Sequence, residues 1–254
     1  MSTLLDEVIA HLLGIEIRLL ACQARLEAHT DPEALHDLRT TVRRLRSLIR
    51  PLRGLPGVDQ LEEAAKGVGQ LTTPYRDREV LAAHLHKRGH HALAQRRVAQ
   101  MKGVYPQVAA SAELARLVRI LDGFPRFARA AQREKLLGGL HKRVDKRLGK
   151  QWRQLEAALQ DPGHDRHRLR LLIKRVRYAV EAYPALSRAS DPLVKRLKQA
   201  QGALGDWHDN WQWLLKVEQE PDLLPCLPEW QAALVEGEQR SDRALDKLLA
   251  AVKY

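Results

Sequence analysis

The sequence is poor in the residues that build several classes of protein. Its 254 residues include only two cysteines, Cys22 and Cys226, and aromatic residues make up only 5%. Two cysteines so far apart in the chain predict neither a disulfide framework nor a metal site, so we expect two buried thiols in a reducing compartment. No apolar run approaches the roughly 20 residues of a membrane span, and acids stand where a signal peptide needs bases. We therefore expect a soluble, cytoplasmic protein without a membrane partner.

Acidic residues are also scarce relative to basic ones. The chain has 43 lysines and arginines against 31 aspartates and glutamates, which gives a formal net charge of +12 at pH 7. An excess of this size favours a polyanionic partner, such as nucleic acid, an anionic membrane or a polymer of phosphate. Leucine, alanine, arginine, glutamine and glutamate dominate the composition, and this predicts an all-α fold with almost no sheet.

An internal repeat divides the chain into two similar halves. The segment HDLRTTVRRLRSLIR, residues 36–50, matches HRLRLLIKRVRYAVE, residues 167–181, through the shared pattern H-x-L-R-x-x-x-R/K-R-x-R at a constant offset of 131 residues. The flanking segments also match, and they align Asp77 with Asp209 at an offset of 132. We therefore predict a single duplicated domain with repeats 1–127 and 128–254. The repeats would join near DGFPRF, where Gly123 and Pro125 punctuate the helical pattern.

Each repeat is predicted to contain about four helices. In the first repeat the helix signals favour residues 3–28, a helix opened by Asp31 as N-cap, residues 59–71, and residues 75–121 with a break near 102–106. In the second repeat DPGHD, SRASDP, LGDWHD and EPDLLP are predicted to separate the helices. Two four-helix bundles related by a pseudo-twofold axis are the natural packing of such a duplication.

The repeated segment predicts a ridge of positive charge along one face of a helix. At about 100° per residue, the basic positions of the shared pattern fall in one narrow sector and the apolar positions in another. Arg44 points elsewhere. A ladder of donors about 5–6 Å apart suits a chain of phosphates, and the forked guanidinium group suits phosphate oxygens. The ridge residues are His36, Arg39, Arg43, Arg46 and Arg50 in the first copy, and His167, Arg170, Lys174 and Arg177 in the second.

Both ridges begin with a histidine, which would strengthen anion binding at acidic pH if it faces the ligand. A plainer alternative stays open, in which each histidine is a polar residue at a helix start. Another alternative is that the ridge is a solvated face, paired with acids on neighbouring helices such as Glu62, Glu63 and Asp77.

The repeated pattern, followed by YRDREVL in the first half and LGDWHD in the second, resembles the CHAD family, the conserved histidine α-helical domain. The resemblance covers nearly the whole chain. It implies two four-helix bundles around a basic central channel that binds inorganic polyphosphate without catalysis, cofactor or metal, and it suggests association with polyphosphate granules. The residues implied as ligands are His36, Arg39, Arg43, Arg44, Arg46 and Lys66, and His167, Arg170, Lys174, Arg175, Arg177 and Lys198; the ridge adds Arg50.

The sequence departs from the pattern in two places. Lys174 stands where the first copy has Arg43, so a point charge replaces a fork. The segment GQLTTPYRD lacks the glycine that Gly205 supplies in LGDWHD, so the turn expected before Asp77 would differ.

Two rival functions remain open. An enzyme that hydrolyses polyphosphate would need carboxylates to hold Mg²⁺, and Asp77, Glu181, Asp206 and Asp209 are the candidates, although orienting arginines or capping helices is the simpler role for them. Sequence-independent binding of nucleic acid is the second rival and a secondary candidate partner.

The tryptophans bear on the nucleic-acid alternative, and a histidine-rich segment bears on metal binding. Trp207, Trp211 and Trp213 would offer stacking platforms to bases, but a spacing of four places Trp207 and Trp211 on one helix face, where a bundle core is the simpler expectation. The segment HLHKRGHH, residues 84–91, has His86 and His90 four apart without an acid or cysteine to complete a metal site, so we expect a solvated helix turn.

Overall fold

The computed structural model describes residues 3–29, 31–187 and 189–252. That part of the chain is helical throughout and contains no strand, which confirms the predicted all-α fold. The helices are α1 (Leu4–Glu27), α2 (Ala34–Ile49), α3 (Val58–Lys87), α4 (His91–Ala99), α5 (Val104–Ala109), α6 (Ala112–Arg133), α7 (Leu140–Gln160), α8 (Arg166–Ala182), α9 (Asp191–Gln219) and α10 (Leu227–Val252). Short 3₁₀ segments, Arg50–Leu52, Pro184–Leu186 and Pro221–Cys226, follow α2, α8 and α9.

The chain divides into two compact units, Met1–Val144 and Asp145–Tyr254. The first contains α1 to α6 and the start of α7, and the second contains the rest of α7 with α8, α9 and α10. The expected interruption at DGFPRF is wrong, because α6 continues through Gly123 and Pro125 to Arg133. The buried stripe of Leu121, Phe124 and Ala128 holds this helix in place despite the hydrogen bond that a proline removes. The repeat boundary at residue 127 and the pseudo-twofold relation stay predictions.

The first helix begins where its local chemistry predicts, and the second does not begin where expected. At the start of α1, Thr3 and Asp6 form a capping box, in which each side chain accepts a hydrogen bond from the other residue's N–H. Asp31, the expected N-cap of α2, instead accepts a hydrogen bond from the Glu33 N–H at 2.7 Å and pairs with Arg25. The bond to Glu33 is of the N-cap kind, but residues 32 and 33 form a turn and the helix begins at Ala34.

The two helices predicted over residues 59–71 and 75–121 are wrong in their boundaries. Helix α3 is continuous from Val58 to Lys87 with Pro74 inside it, and the breaks fall at residues 88–90, 100–103 and 110–111. The hydroxyl groups of Thr72 and Thr73 donate to the carbonyls of Val68 and Gly69, each at 2.7 Å, so they bond to the turn that precedes Pro74. Just after the end of α3, Gly89 has a left-handed conformation, and the His90 N–H donates back to the Leu85 carbonyl at 2.9 Å.

The second unit follows the predicted breaks at three of four places. DPGHD lies between α7 and α8, the described part of SRASDP leads into α9, which begins at its Asp191, and EPDLLP contains the 3₁₀ segment before α10. LGDWHD, however, lies inside α9, so Gly205 makes no turn there and the contrast expected with the segment before Asp77 is wrong. Leu204 is fully buried in the core of this unit, and this anchoring outweighs the weak helix preference of the neighbouring glycine.

The buried faces of the two repeated helices are those that their periodicity predicts. Leu38, Val42, Leu45 and Ile49 are buried in the first unit. In the second unit α8 contributes Leu169, Ile173 and Val176 to a core cluster with residues of α7, α9 and α10. Cys22 and Cys226 are buried thiols outside any disulfide, as expected. No helix in the described ranges combines the length and the apolar character needed to cross a membrane.

Gly57 supports the turn before α3, and its replacement tests the packing of that turn. Its φ angle is +77°, and an added Cβ would lie 2.6 Å from Cε1 of Phe127. We expect Gly57→Ala to lower the free energy of unfolding by about 1–3 kcal/mol, because left-handed strain and overpacking add. Urea denaturation followed by circular dichroism measures this. Gly54→Ala is the control, since Gly54 has a φ angle of +69° and nothing within 4 Å of its added Cβ. Equal losses in the two variants would mean that Phe127 contributes nothing.

Candidate anion-binding ridges

The basic face of α2 forms a ridge at the surface of the first unit, which we call the α2 ridge. Its residues are His36, Arg39, Arg43, Arg46 and Arg50. All five are partly buried, whereas Arg44 is exposed, so the helix separates these positions as its period predicts. These side chains are therefore partly covered by the protein, whereas that of Arg44 extends into water.

Arg39 is the most firmly held member of the α2 ridge. Its Nη1 group donates to the carbonyl of Gly69 at 3.2 Å and to the hydroxyl oxygens of Thr72 and Thr73 at 2.9 and 3.1 Å. Burial lowers the pKa of the Arg39 guanidinium, and the nearby Asp77 carboxylate opposes that change. An arginine keeps its charge even so, because its ordinary pKa is far above neutrality. Helix α3 thus holds a permanent positive charge in a fixed orientation.

Arg46 and Arg50 lie at the other end of the α2 ridge, near an acid. The pKa of the Glu62 carboxyl lies below its usual range, chiefly because of a hydrogen bond from Arg53 and further because of Arg50 and Arg46. The Nε of Arg53 donates to Glu62 at 2.6 Å. The sequence alternative, in which the ridge pairs with Glu62, stays a prediction, because Glu62 forms its ion pair with Arg53, outside the ridge, while Arg50 and Arg46 act on it through their charge. The Nε atom of Arg46 is buried and has no hydrogen-bond partner among the described residues.

Arg43 and Lys66 have different surroundings. The Nη2 of Arg43 donates to the hydroxyl of Thr40 one turn earlier, at 3.3 Å, so a local contact orients this side chain. Lys66 is exposed on α3 and forms an ion pair with Glu63 at 3.6 Å, three residues away on the same helix. The predicted contribution of Lys66 to binding stays a prediction, as does that of Lys198, which is exposed on α9.

Three residues beside the α2 ridge were not predicted as part of its surroundings. Arg76 donates to Glu79 at 2.9 Å, and the hydroxyl of Tyr105 donates to the other oxygen of the same carboxylate at 2.5 Å. Burial, followed by the neighbouring Glu79, raises the pKa of Tyr105. Arg76 and Glu79 both act on the pKa of Arg39, so they belong to its electrostatic environment. Arg76 is thus a positive charge with an acid committed to it.

The basic face of α8 forms the corresponding ridge of the second unit, the α8 ridge. Its residues are His167, Arg170, Lys174 and Arg177. All four are partly buried, whereas Arg175 is exposed, like Arg44 in the first copy. The helix begins after Asp165, whose carboxylate accepts a hydrogen bond from the His167 N–H at 2.8 Å. The ridge therefore starts at the first turn of a capped helix.

Arg177 is held from two sides. Its Nε donates to Gln201 of α9 at 2.6 Å, and its guanidinium forms an ion pair with Glu181 one turn later on α8. The guanidinium carbon also lies 4.1 Å from the ring centroid of Tyr178. Because its side chain is only 13% exposed, these contacts fix its orientation. Glu181, a candidate metal ligand in the sequence, is an arginine partner here.

His208 was not predicted as a site residue, although it lies beside the α8 ridge. Its ring centroid is 5.2 Å from that of His167. The Nδ1 atoms of both histidines are buried and have no hydrogen-bond partner within the described ranges. Burial lowers the pKa of His208 to about 4, and Arg170, His167 and Lys174 lower it further. The shift shows that the α8 ridge acts on a titratable group of α9.

An aromatic group continues from His208 along α9. Trp207 and Trp211 are nearly parallel, with an interplanar angle of 6° and centroids 6.3 Å apart, and Trp211 lies 5.8 Å from His208. Trp207 packs against the core of the second unit, but Trp211 is 38% exposed, so the expected core role is wrong for Trp211. Trp213 is buried against Trp230.

The histidine-rich turn at residues 84–91 is exposed at His86, as expected. The rings of His86 and His91 are in contact, with their Nδ1 atoms 3.2 Å apart. Among the described residues, no group of three or more histidine, cysteine or acidic side chains is arranged to hold a metal ion.

The chain is helical, and one helix of each unit carries a row of basic residues. This combination defines a class of proteins. A family model described as the CHAD domain matches residues 13–218, and the chain therefore belongs to the CHAD family. The crystal structure of the CHAD domain from the plant Ricinus communis is similar to the whole fold. It has a TM-score of 0.73 and 24% sequence identity, and the match covers 99% of this chain and 92% of that one. No curated protein sequence matches the chain.

Proposed function

We propose that the α2 ridge and the α8 ridge bind inorganic polyphosphate. The observation that carries this proposal is that both units present the same row of basic side chains on a helix face, with key guanidinium groups fixed by the next long helix of the unit. Membership of the CHAD family, which is linked to polyphosphate binding in general, supports it.

Fixed cations explain why a phosphate polymer suits these ridges. Like charges three and four residues apart on a helix repel each other, and this cost is relieved when an anion lies along them. Arg39 and Arg177 are already oriented by hydrogen bonds, so they lose little side-chain entropy when they bind a ligand. Neighbouring ridge positions are about 5–6 Å apart, so each turn of the helix meets another part of a continuous polyanion.

The proposed polyphosphate-binding residues are those predicted from the sequence, and we rank their contributions by the burial of their side chains. The partly buried ridge residues form its centre, and the exposed Arg44, Arg175, Lys66 and Lys198 would contribute mainly long-range attraction. A central channel lined by both ridges stays a prediction of the sequence. Recruitment to polyphosphate granules in the cytoplasm would follow from this binding and is proposed on that basis alone.

Nucleic acid is the second candidate ligand. The observation in its favour is the exposed Trp211 beside His208, because aromatic faces next to cations stack with bases. All five tryptophans of the chain, however, lie at or after residue 152, whereas the basic ridge occurs in both units. Binding of polyphosphate requires only the basic ridge that both units share, and no aromatic residues. Polyphosphate is therefore the ligand that needs fewer assumptions.

We propose that binding is not followed by hydrolysis. Three acids beside the ridges form ion pairs with arginines: Glu62 with Arg53, Glu79 with Arg76, and Glu181 with Arg177. Asp77 raises the pKa of Arg39, which is the orienting role expected for it. Carboxylates engaged in this way are less suited to assembling a Mg²⁺ site.

The test is the binding of labelled long-chain polyphosphate, followed by fluorescence anisotropy, with single-stranded and duplex DNA as competitors. We expect tight binding that either DNA displaces poorly at equal phosphate concentration, and no release of orthophosphate when Mg²⁺ is added. Equal displacement by DNA would favour the nucleic-acid alternative. Release of orthophosphate that Asp77→Ala or Asp209→Ala abolishes would favour an enzyme.

A further inference from the structure

His208 occupies a position that the internal repeat makes informative. The alignment that pairs Asp77 with Asp209 also pairs Arg76 with His208, one residue earlier in each half. The first copy therefore has a permanent cation at this place, and the second has a histidine, whose charge depends on its surroundings and on pH. Arg76 is committed to Glu79, whereas the groups that act on His208 are cations.

His208 has an unsatisfied ring nitrogen beside the α8 ridge. The residue is partly buried on α9, its ring lies 5.2 Å from that of His167 at an interplanar angle of 46°, and the Nδ1 atoms of both rings are buried without a hydrogen-bond partner in the part of the chain that the structure describes. The charged groups that act on it, Arg170, Lys174 and His167, all lie on α8. The α8 ridge is thus the source of the charges that lower the pKa of His208.

We propose that His208 is a further phosphate-binding residue of the α8 ridge, and that it takes up a proton when the anion binds. The inference rests on the proposed function, because it assumes that a polyphosphate lies along this ridge. Protonation gives the imidazole a second N–H donor and a positive charge, so one event both satisfies the ring and attracts the ligand.

The sign of the coupling follows from the charges. Without ligand, burial and the basic side chains of α8, among them the cations Arg170 and Lys174, hold the pKa of His208 at about 4, so the ring is neutral at neutral pH. A bound polyanion offsets those cations and raises the pKa. Because the complex then binds more protons than the free protein, affinity increases as the pH falls from neutrality towards the pKa of the free state. Burial still opposes the charge, so the pKa in the complex stays below that of a fully solvated histidine with the same partner.

Proton uptake is measured by titration calorimetry of the full chain with long-chain polyphosphate, in two buffers of different ionisation enthalpy, at about pH 6 where a histidine titrates. Wild type is compared with His208→Arg, which copies the first repeat, and with His208→Gln, which cannot be protonated. His11→Gln removes an exposed histidine of α1 and is the matched control. Because His36 and His167 are present in every variant, the difference between variants isolates His208.

On binding polyphosphate, we expect wild type and His11→Gln each to gain more protons per complex than either His208 variant, by one proton at most. We also expect wild-type affinity to rise several-fold more than that of His208→Arg between about pH 7.5 and pH 5.5, since one linked proton changes affinity by at most tenfold per pH unit. Circular dichroism verifies that each variant is folded, and His208→Gln preserves the test if the arginine is not tolerated.

The possible failures are distinguishable. If wild type binds polyphosphate but takes up no more protons than the His208 variants, the inference is wrong and the proposed function stands. If wild type binds no polyphosphate at either pH, the proposed function fails and the inference fails with it.

Discussion

Replacing Arg39 and Arg170 together by alanine is expected to weaken polyphosphate binding by about 100-fold or more. Hydrogen bonds to charged groups contribute about 1.5–3 kcal/mol each, and about 1.4 kcal/mol corresponds to a tenfold change in affinity. Arg39 is oriented by three acceptors on α3, so its truncation removes a donor that is already in position. Arg170 is the equivalent residue of the α8 ridge, and it acts on His208.

The loss is measured by anisotropy with labelled polyphosphate at constant salt. Arg116→Ala/Arg240→Ala is the matched control, because it removes the same charge from exposed positions on α6 and α10, outside both ridges. We expect the control to bind within a few-fold of wild type, since exposed charges are largely screened. Equal weakening of both double variants would show that overall charge, and not the ridges, determines binding. Thermal unfolding by circular dichroism verifies that each variant is folded.

Salt is expected to weaken wild-type binding by about three orders of magnitude between about 50 and 200 mM. A polyanion releases condensed counterions when cations of a protein replace them, and six to ten such contacts give losses of this size for duplex DNA. The two ridges carry seven arginine and lysine side chains in total: Arg39, Arg43, Arg46, Arg50, Arg170, Lys174 and Arg177. Those that share an acid, such as Arg177 with Glu181, would release fewer ions, so the loss falls at the lower end of the range.

The slope of affinity against salt also identifies the contacts. In a logarithmic plot we expect the Arg39→Ala/Arg170→Ala variant to have a slope about two units shallower than wild type, because each lost phosphate contact removes about one. The control variant should keep the wild-type slope. A shallow wild-type slope, corresponding to one or two released ions, would contradict binding along a ridge and would indicate a single phosphate site.

The repeated helices could be predicted from the sequence because their signal is local. Apolar residues at helical spacing fix which face is buried, and the basic residues between them then have to lie on the opposite edge. Val42 and Ile173 are buried, and Arg39 and Arg170 lie on the ridges, as the period predicts. Helix breaks were less predictable. Pro74 and Gly205 lie inside helices because residues near them are buried in a core, and local sequence signals do not reveal that burial.

The surroundings of the ridges come from packing between helices. Thr72 and Gln201 are ordinary polar residues in sequence, and only the approach of α3 to α2 and of α9 to α8 makes them partners of Arg39 and Arg177. His208 is different, because the alignment of the two halves already places it opposite Arg76. A comparison of the repeats at every position, and not only at the shared ones, would have identified it.

The division into two compact units also provides a built-in optical reporter. Every tryptophan lies in the second unit, and Trp213 and Trp230 are buried there while Trp211 is exposed. Tryptophan emission therefore follows the melting of α8, α9 and their neighbours alone, whereas ellipticity follows helices of both units. If the two signals change at the same denaturant concentration, the units unfold together; if they separate, each unit has its own stability, and a single free energy does not describe the chain.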